Sequence, residues 1–353
     1  MTDSLLTHLS RDRLVTLLDR AASLRVGVVG DLGLDAYWYA DMTISHLSRE
    51  TPRFPRPVLR EVYSPGAGAN VADNLSALGV ARVTAFSVLG EDWRGAILRQ
   101  VMAERGIETD LLLSSPRRNT TAYIKPILLG YDNQQEDARL DFENAEPLPE
   151  DAEARLIECL MRHLPELDAV LVADQLDVHG IVTPRVRETL NGLAVAHPRV
   201  RFAVDSRQHI GLFRAMALKP NWAEATAAVR PDCDPRSLTT EEMATIGRTL
   251  SAQARRPVFI TLSERGVLVC EEATCTHVPT APVRPPLDPV GAGDTFIAAL
   301  AVALAAGATP CEAGALANLA AAVTVEKLNT TGTATPQEIL ARYALAEAAQ
   351  EAL

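Results

Sequence analysis

Short, mostly apolar runs recur along the chain at residues 25–30, 83–89, 169–173, 201–204 and 257–261. Each is too short for a helix. The first, Arg-Val-Gly-Val-Val-Gly, is continuous enough to be a strand covered on both faces of a parallel sheet. Longer stretches between them read as helices. Residues 10–24 put Leu14, Leu17 and Leu18 on one side and Arg11, Asp12 and Arg20 on the other. Residues 71–78 stop at Gly79, and a further helix follows Asp92 and runs through Arg105 and Gly106. Helices flank the 169–173 strand. Residues 296–307 form a small-residue apolar helix that Gly307 can stop, and residues 310–327 form another. Thr335-Pro336-Gln337-Glu338 has a cap, a proline at the first helical position and a Glu three residues on, so it opens a last helix.

Residues 42–63 break this alternation. Pro52, Pro55 and Pro57 make them a loop followed by an edge-type strand. Residues 122–129 and 139–142 read as further strands, and 267–270 with 276–278 as a hairpin. A length of 353 residues allows two domains, or one large α/β domain with an insertion.

A net charge of −11 argues against a general nucleic-acid or acidic-membrane surface. No signal-type core and no membrane-length apolar run is present, so a cytoplasmic protein is expected. Lysines are few (Lys125, Lys219 and Lys327) and arginines abundant, so a phosphate clamp would use Arg. The cysteines 159, 233, 270, 275 and 311 form no Cys-x-x-Cys pair, and reduced thiols are expected. Cys270 and Cys275 could meet across the hairpin; two packed or surface thiols are expected there rather than a metal site. Neither a Walker loop nor Gly-x-Gly-x-x-Gly occurs, which disfavours a nicotinamide-dependent dinucleotide fold.

The densest chemistry lies at Asp288-Pro289-Val290-Gly291-Ala292-Gly293-Asp294-Thr295-Phe296. A Gly-x-Gly that opens a helix offers bare N–H groups at the positive end of the helix dipole, a place for phosphate or a developing oxyanion. Asp294 there reads either as a helix cap or as a general base taking a proton from an attacking alcohol.

Gly291-Ala292-Gly293-Asp294-Thr295 resembles the C-terminal signature of the ribokinase-like (PfkB) carbohydrate kinases. Pro65-Gly66-Ala67-Gly68-Ala69-Asn70-Val71-Ala72 resembles their N-terminal one, although the family has two adjacent glycines where this chain has Gly66-Ala67-Gly68. Within the family, residues 30–39, Asn133-Gln134-Gln135, residues 139–143 and residues 219–224 are similar to the heptose-7-phosphate kinases of ADP-heptose synthesis. No His-x-Gly-His occurs, so the kinase unit is expected without a nucleotidyltransferase domain.

The resemblance implies an α/β fold: a three-layer α/β/α sandwich with a small β-sheet lid. Residues 1–24 would be a helical extension and 25–340 the kinase domain. Lid segments would fall at about 41–64 and 111–142, and 341–353 would end the last helix. It implies ATP-dependent γ-phosphoryl transfer to a hydroxyl of a sugar or sugar phosphate. Asp294 would be the base, and the N–H groups of Ala292, Gly293 and Asp294, in the turn opened by Gly291, would steady the transferring charge. Asp35, Gly66, Gly68, Asn70, Arg139 and Asp174 would hold the acceptor. Asn221 and Glu224 would place Mg²⁺ through water. Thr261, Ser263, Gly266 and Asn318 would line the nucleotide, and Arg207 would hold a phosphate unless it is a plain surface residue. Pro289 stands where relatives often have Thr, so a monovalent-cation site near Asp288 stays open. Relatives carry Asp-Tyr and then Lys-Gly where this chain has residues 174–180, and the lysine is lost. A homodimer formed through the lid is the expected assembly. Rival readings are a kinase for a nucleoside or another small alcohol, and a non-catalytic sugar or nucleotide sensor.

Overall fold

The computed structural model describes residues 4–328 and 331–351. Its main sheet has nine strands. In spatial order they are Cys275–Val278, Val267–Cys270, Val258–Thr261, Ala217–Leu218, Arg201–Ser206, Ala169–Asp174, Arg25–Gly30, Arg82–Phe86 and Ile107–Glu108. The seven from Val258–Thr261 to Ile107–Glu108 are parallel, and the hairpin at the other edge is antiparallel.

The parallel strands are apolar throughout because helices cover both faces. Alternation along a strand splits its side chains between two cores. Val26, Val28, Ala169 and Leu171 join one, with Leu75, Phe296, Leu300 and Leu316 from the helices Gly68–Ala77, Ala292–Ala305 and Pro310–Thr324. Val29, Val170 and Val172 join the other, with Leu156, Leu190 and Leu250 from Glu150–His163, Pro184–Ala196 and Thr240–Ala254. The result is three layers, α/β/α. The helix Arg11–Ala21, capped by Ser10, packs Leu14 and Leu17 onto the first core.

A second sheet forms a lid over one end. Its order is Leu140–Phe142, Thr121–Leu129, Leu32–Asp41, Val58–Ala67, with Gln134–Glu136 pairing against Thr121–Leu129. The strand Leu32–Asp41 lies ahead of both segments that the sequence assigns to the lid, and Gln134–Glu136, within the second of them, adds a short strand. Leu32, Leu34, Ala36 and Ala40 are buried. Asp35 is buried too, while Tyr37 and Tyr39 are half-exposed, so the period-2 alternation carries little hydrophobic contrast.

One expectation is corrected here. Cys270 and Cys275 are not separate thiols but a disulfide across the hairpin, their Cα atoms 4.1 Å apart. The register sets these residues directly opposite each other. Cys159, Cys233 and Cys311 are free.

Candidate active site

The helices Gly68–Ala77 and Ala292–Ala305 begin side by side at the C-terminal ends of the sheet strands, where ligands of open α/β sheets bind. A buried polar network locks their first turns together. Thr295 Oγ1 donates to Asn74 Oδ1 at 2.6 Å, and Asn74 Nδ2 donates to the Asn70 carbonyl at 2.8 Å. Gly291 takes the N-cap position at φ +80 with no side-chain cap. Its glycine is required twice over, because a Cβ there would also lie 3.3 Å from Asn70 Nδ2. The Ala292 N–H is spent on the Pro289 carbonyl at 3.2 Å. The helix-start donors that remain for an anion are therefore those of Gly293 and Asp294.

Asp294 stands in the first helical turn and lines a cleft of about 320 Å³. Asn70 Nδ2 donates to its Oδ2 at 2.7 Å and Gln175 Nε2 to its Oδ1 at 3.0 Å. Burial pushes its carboxyl up to about 6, assisted by Asp205 and opposed by the two amides and Lys219. A carboxylate so poised is a competent base near neutral pH.

One end of the cleft is walled by the lid. Asp35, buried, accepts from Lys125 Nζ at 3.2 Å, and the same ammonium reaches Tyr37 Oη at 3.2 Å. Burial works against the Lys125 ammonium, but Asp35 and Tyr37 outweigh it and hold Lys125 protonated. Arg139 forks onto Asp141 at 2.6 and 2.7 Å and stacks 4.8 Å from the Tyr123 ring centroid. Arg207 is exposed and lines the cleft; among the described residues it has no acidic partner within 4 Å.

The other end holds Lys219, Asp205 and Glu224. Lys219 is buried and lies 3.1 Å from Asp205. A Cβ on Gly293 would sit 3.7 Å from its ammonium, so the charge borders the anion-binding helix start. Asn221 and Glu224 form a complete capping box for the helix Trp222–Val229. Asn221 Oδ1 accepts from the Ala223 and Glu224 N–H groups at 2.9 and 2.8 Å and is thereby occupied; of the two residues, Glu224 is the one that lines the cleft.

A model of the pfkB family of carbohydrate kinases matches residues 59–338. The chain belongs to that family. That family is one of carbohydrate kinases, phosphotransferases with an alcohol acceptor. The kinase is 36% identical over 340 residues to bifunctional protein HldE of Trichlorobacter lovleyi, a match covering 96% of this chain and 66% of that protein. It is 35% identical to bifunctional protein HldE of Rhodopseudomonas palustris, covering 86% and 60%. The chain thus spans about 60–66% of the length of these relatives. Among solved structures, Escherichia coli phosphofructokinase-2 in complex with potassium superposes with TM-score 0.68 at 18% identity, covering 92% of this chain and 99% of that one. Arabidopsis thaliana ribokinase complexed with ribose and ATP gives 0.65 at 18%, covering 91% and 98%. These likenesses show the ribokinase-like fold.

The remaining site expectations of the kinase fall outside the cleft lining. Gly66 and Gly68 permit close packing: a Cβ would lie 3.0 Å from Asp35 Cγ at the first and 2.7 Å from the Asp31 carbonyl at the second. Asp174 turns away, bound by Ser206 Oγ at 2.6 Å and His209 Nδ1 at 3.1 Å. Thr261 bridges to Asn221 in parallel fashion, and Ser263 and Gly266 make the turn that follows at φ +55 and +89. Asn318 is buried and donates to the Val278 and Pro279 carbonyls at 3.0 and 3.1 Å, bracing the chain at the end of the hairpin. Lys125, Gln175, Asp205 and Lys219 line the cleft but were not among the expected site residues. For Lys219, a lysine beside the Asn-x-x-Glu pattern in a lysine-poor chain was the available signal.

Proposed function

We propose that this kinase transfers the γ-phosphoryl group of ATP to a hydroxyl of an already phosphorylated sugar of the heptose 7-phosphate kind, with Asp294 as general base. The observation that carries this is Arg207, an exposed cationic side chain lining the cleft with no ion-pair partner within 4 Å among the described residues, in a chain of net charge −11. Lys125 and Arg139 stand beside it. An acceptor that brings its own phosphate supplies the missing anion. The sequence likeness to heptose-phosphate kinases supports the same acceptor.

In this reading Asp294 takes the proton from the acceptor hydroxyl as that oxygen attacks the γ-phosphorus and ADP leaves. The Gly293 and Asp294 N–H groups and the Lys219 ammonium face the charge on the phosphoryl oxygens. Kinases of this family use ATP with Mg²⁺. Glu224, with Asp205 close by, fits an ion that prefers one or two carboxylates and many waters. Bound Mg²⁺ would neutralise phosphate charge. Asp288 accepts from the Val290 N–H at 3.0 Å, and a monovalent cation beside it would steady the loop before the anion-binding turn.

The lid suits a homodimer interface. Val58–Ala67 is its edge strand and exposes Val58, Leu59 and Val62. Leu59→Lys should convert a dimer to monomers in light scattering; an unchanged mass would remove this interface. No helix among the described residues is long and apolar enough to cross a membrane. A kinase that draws on ATP is placed in the cytoplasm in this reading.

The test is ADP release from Mg-ATP with heptose 7-phosphate, fructose 6-phosphate, ribose or adenosine. Turnover with heptose 7-phosphate, and an acceptor KM raised about 10- to 100-fold in Arg207→Leu with little change in the ATP KM, is the expected result. Turnover with ribose or adenosine alone would overturn the acceptor assignment. ATP binding without turnover on any acceptor would favour a sensor.

A further inference from the structure

Asp294 is gripped on both oxygens, and one grip comes from outside both signature motifs. Gln175 Nε2 donates to Oδ1, opposite Asn70 on Oδ2. The backbone of Gln175 is itself anchored. The Gln175 and Leu176 N–H groups both donate to Asp31 Oδ2 at 2.9 Å, and the Ile181 N–H donates to Asp31 Oδ1 at 2.6 Å. Asp31 is 2% exposed, immediately after the strand Arg25–Gly30. Gly180 is needed for this fit, since a Cβ there would lie 2.9 Å from Asp31 Oδ1. Arg118 Nη1 closes the loop by donating to the His179 carbonyl at 2.8 Å. Residues 175–181 are therefore wrapped around one buried carboxylate, and the Gln175 amide projects from them into the cleft.

We propose that Gln175, anchored through Asp31, is a positioning residue that fixes the carboxylate plane of Asp294 for proton abstraction. The proposal rests on the reading of Asp294 as the base. The terminal torsion of an aspartate is broad and two-fold, so a single donor on one oxygen leaves the group free to swing. Donors on opposite oxygens remove that freedom and leave lone pairs for the acceptor hydroxyl. Both donors are neutral amides, which orient the base without pairing it to a full charge. Lys219, the ammonium close to it, is committed to Asp205. The other charged groups of the cleft are Glu224, Arg207, Asp35, Lys125 and Arg139, and substitution at position 175 removes none of them.

The experiment compares wild type, Gln175→Met, Gln175→Glu and Asp294→Asn. Rates are measured against pH with Mg-ATP and whichever of heptose 7-phosphate, fructose 6-phosphate, ribose or adenosine is turned over. Methionine keeps the length and loses the donor; glutamate keeps the shape and folds as a near-isostere. Gln175→Met should lower kcat about 10- to 100-fold, the range for a hydrogen bond to a charged group, with the ATP KM unchanged. Its acid limb should move to higher pH, because losing a donor favours the protonated carboxyl. Gln175→Glu should move it further, because a second carboxylate repels the first. An unchanged kcat and pH profile in both variants, or an effect confined to the acceptor KM, would overturn the proposal. Asp294→Asn separates the two failures: an inactive Asp294→Asn beside an unaffected Gln175→Met leaves the base standing without its brace. Wild-type turnover in Asp294→Asn would sink the base and the brace together.

Discussion

Asn70 Nδ2 lies 2.7 Å from Asp294 Oδ2, a hydrogen bond between the first turns of two helices whose residues stand 224 apart in sequence. The two signature motifs therefore meet at the carboxylate proposed as the base. The bond is charge-assisted, partly buried and anchored by Asn74 from beneath. Asn70→Ala should reduce kcat about 10- to 100-fold while the ATP KM moves little. Steady-state kinetics checks this; a change in acceptor KM alone would make Asn70 a sugar ligand instead.

A general base must be ionised, so with Asp294 in the proposed role kcat/KM should fall about tenfold per unit of pH below its pKa of about 6. Stability should run the other way. Asp31 and Asp294 both have folded-state values raised to about 6, chiefly by burial. Between the ordinary carboxylate range and that value the folded chain binds more protons than the unfolded one. Their contribution is full below the unfolded pKa and is lost as pH rises through the folded pKa. Asp294→Asn removes its share of this loss. The variant should melt above wild type at pH 7.5, by about 1–3 °C on the scale of one kcal/mol in a chain of this size. The difference should narrow by pH 4.5, where the folded side chain is neutral, and close only below the ordinary carboxylate range, where the unfolded side chain is protonated too. Calorimetry at the two pH values decides it, and a pH-independent difference would contradict the linkage.

Lys219 carries two duties that one substitution separates from each other poorly and two substitutions separate well. Its ammonium neutralises buried Asp205 and borders the helix start at Gly293. Lys219→Met should lower kcat by about 10²- to 10³-fold, as for loss of one preorganised transition-state donor. It should also destabilise the fold by about 3–5 kcal/mol, because Asp205 is left as an unpaired buried charge. Adding Asp205→Asn should recover most of the stability and little of the rate. Recovery of both would make Lys219 a purely structural ion-pair partner.

The sheet was legible because its apolar runs are unambiguous: the strand Arg25–Gly30 coincides with the run read from sequence. The lid strand Leu32–Asp41 was not. It mixes small buried residues with tyrosines and a buried aspartate, so its alternation resembles a loop beside a site. Asp294 was legible as a candidate base because a glycine-flanked aspartate opens a helix. Its amide partners divide: Asn70 lies in a motif, whereas Gln175 lies outside both motifs and reaches Asp294 only through tertiary folding. Asn221 shows the converse. Its pattern reads equally as a cap or a metal position, and the fold uses both of its carbonyl lone pairs for the cap.

Ala67 keeps a backbone conformation that belongs to glycine. It has φ +49 and ψ −135 at the junction between the strand Val58–Ala67 and the helix Gly68–Ala77, and it lines the acceptor cleft. A non-glycine residue in such a region costs about 1–3 kcal/mol, held in place by its surroundings. The surroundings are rigid: the Gly68 N–H donates to the Asp31 carbonyl at 2.8 Å, and Gly68 packs against Ala173. Ala67→Gly should relieve the strain but give back about 0.5–1 kcal/mol through the freer unfolded chain. A net gain of about 1 kcal/mol in urea unfolding is therefore expected. The methyl also narrows the cleft, so the glycine variant should accept a bulkier or less specific range of sugars at a higher acceptor KM. Lower stability in Ala67→Gly would mean that the turn holds no strain, and that the methyl group is a packing element in its own right.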